Sequence, residues 1–389
     1  MRSVANASEV ARGRELLWDF FEGTNMGVSR HDAETWIKNG PNSYGIFWGF
    51  GSGHSRFMWH IRTLPRLLQM FELVWGSSDL LTSFEGFSMF PPERVEASWE
   101  LGEAWFHTDQ NAASRPGLQT VQSFTSLYDQ DESTGGFVVV PRSWRRHQAV
   151  TRRIYKASPR TPPEQQFLMV PADDPVLAKA QRPHLVRVRA GDAILWDSRT
   201  VHCSTPSLRN RKPAAANEAS AASAASEASI GSADLAEPPA RVVAYACFAP
   251  RRRAPDHVLL ARQRALFAQR TCTHWPFEMS CLEPPHAAGQ VASDPLTRAS
   301  GLVKNLVGYT DAQIRGWLSG GASARATGPF DSPRAVQVAP HAPLVEGQAA
   351  PDVDGVERAG HGRTRMRHHL PSKMRSRRRQ REQRGVRSR

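Results

Sequence analysis

Cysteine is scarce: four residues in a chain of 389, at Cys203, Cys247, Cys272 and Cys281. So few exclude a disulfide-held scaffold at this length and fit reduced thiols in an intracellular compartment. Long apolar runs are missing too. No stretch approaches the roughly 18 apolar residues that a membrane-spanning helix needs. The first residues, "MRSVANASEVARGRELLWDFFEG", carry charges where a signal peptide would be apolar. These absences set the expectation of a soluble, cytoplasmic protein with no membrane partner. Acidic residues are also in deficit, 37 Asp+Glu against 50 Lys+Arg, for a formal net charge of +13. Such a surplus suggests a nucleic-acid binder until it is located. Residues 357–389 hold 13 Lys+Arg and 2 Asp+Glu, a local balance of +11, which leaves about +2 for the 356 residues before them. Nucleic acid is therefore expected as a partner only through the basic tail, by phosphate contacts. A localisation signal and a plain solvated charge run are the other readings of that tail, so the nucleus stays open. No base-reading motif or aromatic stacking platform accompanies it.

The hydrophobic fraction is 40%, with 11 tryptophans, enough for a sizeable core in one large domain or two modest ones. Residues 1–83 read as mainly helical. "ASEVARGRELLWDFFEG" has apolar positions at helical spacing and stops at Gly23. In "RHDAETWIKNG", Asp32 is placed to help cap a short helix that Gly40 ends. "TLPRLLQMFELVWGSSDLL" offers Thr63 as a cap, Pro65 in the first turn, and Leu67, Leu68, Phe71 and Val74 on one face. From residue 84 to 282 the texture is that of short strands. "GLQTVQSFTSLYDQDESTGGFVVVPRSW" reads as strand, polar turn, strand, and "GDAILWDSRTVHC" and "RVVAYACFAP" are further strands. Residues 254–282 begin as a helix. This pattern predicts a mainly β protein with flanking helices, a sandwich or barrel rather than a parallel α/β sheet. Residues 212–240, almost entirely Ala, Ser, Glu and Pro, read as a disordered insert in this core. A helical extension is expected over 283–320 and a disordered basic tail over 321–389.

The chemistry is concentrated around "WFHTDQN". On a strand, residues two apart face the same side, so His107 and Asp109 would converge on one point. One imidazole nitrogen and one carboxylate oxygen are two thirds of the two-histidine, one-carboxylate face that suits non-heme Fe(II). The missing histidine is expected at His202, at the end of a strand that opens on the Gly191-Asp192 turn. Ile194, Trp196, Ser198, Thr200 and His202 then share one side. The separation of 95 residues leaves room for about four intervening strands.

"WFHTDQN", "DESTGGFVVVPRSWRRH" and "GDAILWDSRTVHCSTP", in this order and at this spacing, resemble the phytanoyl-CoA dioxygenase-like family of Fe(II)- and 2-oxoglutarate-dependent oxygenases, over roughly residues 40–280. The resemblance implies a double-stranded β-helix (jelly roll, cupin-like) core with metal ligands His107, Asp109 and His202. It implies Fe(II), 2-oxoglutarate and O2 as cofactor and cosubstrates, with ascorbate helpful in assays. It also implies an arginine after the distal histidine that pairs with the far carboxylate of 2-oxoglutarate, a task suited to a planar, permanently charged fork. Arg241, which opens "RVVAYACFAP", is the expected residue; Arg209 and Arg211 remain as alternatives. The Ala/Ser insert accounts for the long spacing, since closure entropy rises only logarithmically with loop length. Ser204 is expected to assist at the same carboxylate and Phe124 to lie near the cosubstrate. Ser143 and His147 match a segment in which Trp144 replaces a family histidine. An aspartate at 109 implies hydroxylation rather than halogenation.

Each of these residues also has an ordinary role: His107 as a core histidine, Asp109 as a turn cap, Arg241 paired with Glu237 or Asp234. Two other functions compete with the oxygenase. One is a cupin-type metal oxygenase that does not use 2-oxoglutarate; the other is a non-catalytic scaffold whose tail recruits nucleic acid. "CTHWPFEMSC" invites a zinc reading through Cys272, His274 and Cys281, but its spacing is wrong for common structural zinc sites, and aromatic packing is expected instead. The substrate is expected to be a small organic molecule that no motif selects.

Overall fold

The computed structural model describes residues 1–24, 26–39, 45–90, 105–178, 183–205, 238–281, 301–310 and 312–313. The alternatives Arg209 and Arg211, nearly all of the Ala/Ser insert and the basic tail lie outside them. Among the described residues, no helix is long and apolar enough to cross a membrane.

The first helix, α1 (Ala7–Glu22), starts where Asn6 forms a reciprocal capping box. The Asn6 side chain accepts from Glu9 N at 3.0 Å, and the Glu9 carboxylate accepts from Asn6 N at 2.8 Å. Gly23 ends it, as its position predicts. Leu16, Leu17, Phe20 and Phe21 form its buried stripe. α2 (Glu34–Asn39) begins two residues after Asp32, whose carboxylate accepts from Glu34 N at 3.1 Å. α3 (Arg56–Arg62) is capped by Ser55, and α4 (Pro65–Trp75) has Pro65 in its first turn. Thr63 closes α3 rather than opening α4, whose N-cap is Leu64. Leu67, Met70 and Phe71 are the buried positions of α4, while Val74 is exposed.

The strands make two five-stranded antiparallel sheets and one two-stranded ribbon. The first sheet runs β1 (Ile46–Phe47), β3 (Phe87–Phe90), β11 (Arg241–Tyr245), β5 (Val121–Ser126), β9 (Ala193–Asp197). The second runs β7 (Leu168–Met169), β4 (His107–Thr108), β10 (His202–Thr205), β6 (Gly136–Val139), β8 (His184–Leu185). β12 (Phe248–Pro250) pairs with β2 (Leu80–Thr82). The stretch read as helical thus also supplies two short strands.

The chain crosses between sheets where the sequence suggested simple continuations. β5 and β6 flank the polar Gly-Gly turn but belong to different sheets, so "strand, turn, strand" is a corner and not a hairpin. β9 ends at Asp197, and His202 begins the next strand instead of ending the same one. Five described strands, not four, separate His107 from His202.

These crossings put alternate residues of both sheets on one interior. Val242 and Ala244 of β11 face outward, into the large core built with the N-terminal helices, where Phe21 meets Phe47 and Phe87 edge-on at 5.2 and 5.5 Å. Val243 of the same strand faces inward with Phe124, Trp196 and, from the other sheet, Phe137. α5 (His147–Ala157) covers the second sheet with Val150 and Ile154. α6 (Asp256–Phe267) and α7 (Gly301–Val307) close the remaining end. There the buried Arg262 donates to the carbonyls of Thr82, Pro276, Leu306 and Val307, spending its whole fork on backbone. α6 stops at Phe267, and the following segment to Cys281 is a loop rather than more helix.

Candidate metal centre

His107 and His202 face each other as direct partners on the neighbouring antiparallel strands β4 and β10. Side chains so placed have Cβ atoms only about 5 Å apart, and the two rings lie 4.3 Å apart between centroids. Asp109 sits one residue past the end of β4, its N–H bonded to Ser198 O at 3.2 Å. Asp109 Oδ1 is 3.5 Å from His107 Nε2, and Oδ2 is 3.2 Å from His202 Nε2. One ligand atom from each residue falls within 4.8 Å of the others. The three residues expected from sequence as ligands are thus brought together.

The neighbours fix which atoms point inward. His107 Nδ1 is 3.0 Å from Trp105 O, and His202 Nδ1 is 2.9 Å from Thr200 O. A carbonyl can only accept, so each Nδ1 carries the proton and each Nε2 offers a lone pair. Burial pushes the His107 pKa down to about 4, aided by the adjacent His202 ring, so the imidazole stays neutral. Burial alone would raise the Asp109 pKa; the positive charge that the His107 and His202 rings carry when protonated outweighs it and holds the carboxyl well below the usual range. Gln122 Nε2 also donates to Asp109 Oδ2 at 2.8 Å. Two neutral nitrogens and one anionic oxygen aimed at one point repel each other unless a cation lies between them. That donor set suits a divalent transition metal.

The frame around the ligands is aromatic and tightly bonded. Trp105 stacks on His107 at 4.4 Å, Phe167 lies 4.8 Å away, and Phe137 and Trp196 flank His202 at 5.2 and 5.4 Å. After Asp109 the chain turns through Gln110, whose side chain accepts from Ser198 at 2.6 Å and whose carbonyl meets His147 Nε2 at 2.5 Å. Ser143 Oγ accepts from Val201 N at 2.8 Å, tying the residue before His202 to the same frame.

Arg241 enters the interior from the other sheet and is 2% exposed. It donates to Ser204 Oγ at 3.0 Å and Thr205 O at 2.9 Å, and its guanidinium lies 3.6 Å over the Phe90 ring. Among the described residues no carboxylate pairs with it. Burial pushes its pKa down to about 10, which still leaves it charged at neutral pH. Ser204, two residues past His202 on β10, thus accepts from Arg241 on the other sheet. Phe124 is buried between the sheets, across from Tyr245 on β11, and belongs to the aromatic floor rather than touching the ligands.

Sequence reasoning missed several residues. Gln122 lies on the inward side of β5, two before Phe124, and that alternation was the available signal. His274, which lies within electrostatic reach of Asp109, carried none, since only the fold brings residue 274 to residue 109. Glu85 and Tyr245 also lie within electrostatic reach of Asp109.

Residues 84–212 match the phytanoyl-CoA dioxygenase (PhyH) family. The PhyH match contains all three motif segments and both histidines, while Arg241 lies beyond it. A 193-residue stretch, 48% of this chain, is 26% identical to "Ava biosynthesis cluster protein O" of Aspergillus versicolor and covers 61% of that protein. The chain thus spans less than two thirds of that relative. Among solved structures, the epimerase SnoN in complex with Fe3+, alpha ketoglutarate and nogalamycin RO is similar over 63% of this chain and 76% of its own, at 18% identity and a TM-score of 0.34. EctD from S. alaskensis, with 2-oxoglutarate and 5-hydroxyectoine, is similar over 75% and 81%, at 11% identity and a TM-score of 0.37.

Proposed function

We propose that this protein is an Fe(II)- and 2-oxoglutarate-dependent oxygenase that hydroxylates a small organic molecule, on a double-stranded β-helix core spanning about residues 84–282. One observation carries the reading: a His-Asp-His cluster shares an interior with a buried guanidinium that has no carboxylate partner among the described residues. His107, Asp109 and His202 would hold the iron, which when bound supplies the oxygen-activating chemistry. Arg241 would bind the far carboxylate of 2-oxoglutarate, because a buried cation without a counter-ion gains most from an anion that reaches it. Ser204 presents its hydroxyl to the same place. The aromatic wall from Trp105, Phe137, Phe167 and Trp196 excludes water. The main-chain carbonyls of Trp105 and Thr200 hold the imidazoles in the tautomer that ligation requires.

The test is an anaerobic titration of the apo protein with Fe(II) and 2-oxoglutarate, read by the weak visible charge-transfer band of the chelate. The band is expected with the native chain and lost in Asp109→Ala. A metal oxygenase that does not use 2-oxoglutarate would bind iron with no band and keep its activity in Arg241→Ala. A scaffold would bind neither. Either result overturns the proposal.

A further inference from the structure

Cys272 and Cys281 bound the segment "CTHWPFEMSC" and stand opposite each other on an antiparallel bridge, with their Sγ atoms 3.1 Å apart. Just inside the bridge, Thr273 N donates to Ser280 O at 2.9 Å. Directly opposed residues of an antiparallel pair have Cα atoms about 4.5 or 5.5 Å apart. Both separations lie inside the roughly 4.4–6.8 Å that a disulfide spans. Among the described residues no third ligand joins the two thiols for the zinc reading of this motif. Among the described residues the only cluster of three metal-ligating side chains is His107, Asp109 and His202.

The segment between the cysteines leans on the metal centre. Glu278 accepts from Arg115 at 3.2 and 2.8 Å, and the Arg115 guanidinium lies 4.9 Å over Trp275. Pro276 O accepts from Arg262 at 2.6 Å. The His274 ring packs at a tilt on Trp275, 4.6 Å between centroids, and lies within electrostatic reach of Asp109. The bridge between the two cysteines closes the base of this loop.

We propose that Cys272 and Cys281 are a reversible dithiol–disulfide pair, oxidised by a small-molecule disulfide such as oxidised glutathione, whose closure fixes the loop that seats His274 against Asp109. Cys281 is half-buried and Cys272 buried, so Cys281 meets the oxidant first. Its thiolate attacks one sulfur of the small disulfide and expels one thiol, giving a mixed disulfide. The Cys272 sulfur then attacks Cys281 Sγ and expels the second thiol. Both protein S–H bonds are lost and one S–S bond forms; the small disulfide is reduced to two thiols, which take up the two protons. Burial holds the Cys272 thiol well above its usual pKa, so the second step waits for local opening or a proton acceptor. The thiol chemistry does not depend on the oxygenase reading.

The experiment treats the full chain with oxidised glutathione, alkylates free thiols under denaturing conditions and maps tryptic peptides. Residues 271–298 contain no Lys or Arg before Arg298, so both cysteines fall on one peptide. That peptide is expected to escape alkylation and to weigh two hydrogen atoms less than its reduced form. Dithiothreitol restores two alkylation sites, and Cys281→Ser shows no such loss. Hydrogen exchange of amides 273–280 is expected to slow in the oxidised chain. The proposal is overturned if both thiols stay alkylatable under conditions that close a control dithiol peptide. Glutathione persisting on Cys281 without closure, or unchanged exchange in the loop, overturns it equally.

Discussion

At the scale of single residues, the site places charge where water cannot reach, and the consequences are measurable. Arg241 has its guanidinium against Phe90, with hydrogen bonds, among the described residues, only to Ser204 and Thr205. A hydrogen bond to a charged group contributes about 1.5–3 kcal/mol, so Arg241→Ala is expected to weaken 2-oxoglutarate binding on the order of 10- to 100-fold. Arg241→Lys should recover only part of it, because a point charge does not match a carboxylate as a planar fork does. Calorimetric titration of the iron-loaded protein measures both, and unchanged affinity in the alanine variant would remove Arg241 from the site. Glu85 makes a second prediction. Burial pushes its pKa up to about 7 from an ordinary 4.5. Between those values the folded chain binds more protons at this residue than the unfolded chain does. Stability from Glu85 is therefore greatest below pH 4.5 and is lost as pH rises through about 7. Glu85→Gln mimics the protonated form. It should be near neutral at pH 5 and stabilising by up to about 3 kcal/mol at pH 8, as judged from the size of the shift. His107, with its pKa lowered to about 4, acts in the opposite sense, adding stability as pH rises from 4 to 6.5 in the apo protein. The Glu85 variant is needed to separate the two; guanidinium unfolding giving the same difference at both pH values would refute the assignment.

At the scale of elements, the local signals in the sequence were legible wherever one residue decides the backbone. Gly23 stops α1 and Pro65 stands in the first turn of α4 where their positions predict, because capping and proline geometry act within a few residues, whereas Thr63, expected to cap α4, closes α3. The meeting of His107, Asp109 and His202 was legible as well: the three side chains converge. The route to that convergence was not. Alternation along one strand suggested His107 and Asp109 as neighbours and His202 at a strand end. The structure instead pairs His107 with His202 across β4 and β10 and sets Asp109 past the end of β4. Strand pairing is a long-range choice, and the polar turns after β5 and β9 do not reveal whether the chain folds back or crosses to the other sheet. His274 reaches Asp109 across 165 positions, and no pattern near either residue marks it. The relative weight of local and long-range terms can be measured on α1. Removing the cap with Asn6→Ala should cost about 1 kcal/mol. Phe21→Ala removes a fully buried ring packed between α1 and the strands holding Phe47 and Phe87, and should cost about 3–5 kcal/mol. Denaturant unfolding of the two variants ranks them; equal effects would mean that α1 is held by its ends rather than by its buried face.

At the scale of the whole molecule, charge and chemistry are separated along the chain. The residues of the candidate metal centre and its supports lie between Glu85 and His274, in a body whose first 356 residues carry about +2, whereas residues 357–389 carry +11. A charge so concentrated binds any polyanion through counterion release, with log affinity falling by about 0.9 per log unit of salt for each phosphate neutralised. Full-length protein is therefore expected to bind duplex DNA non-specifically at low salt and to lose that binding steeply as salt rises. A chain ending at Val356 should lose it at every salt concentration. Iron binding should not change between the two, because the donor atoms that would hold the metal, at His107, Asp109 and His202, all lie in the part that both proteins share. The same pair of proteins, titrated with Fe(II) in low and high salt and then with DNA, decides the matter. Truncation that weakens iron binding would show that the basic segment helps to build the centre, and a shallow salt dependence of DNA binding would show that contacts other than phosphates hold it.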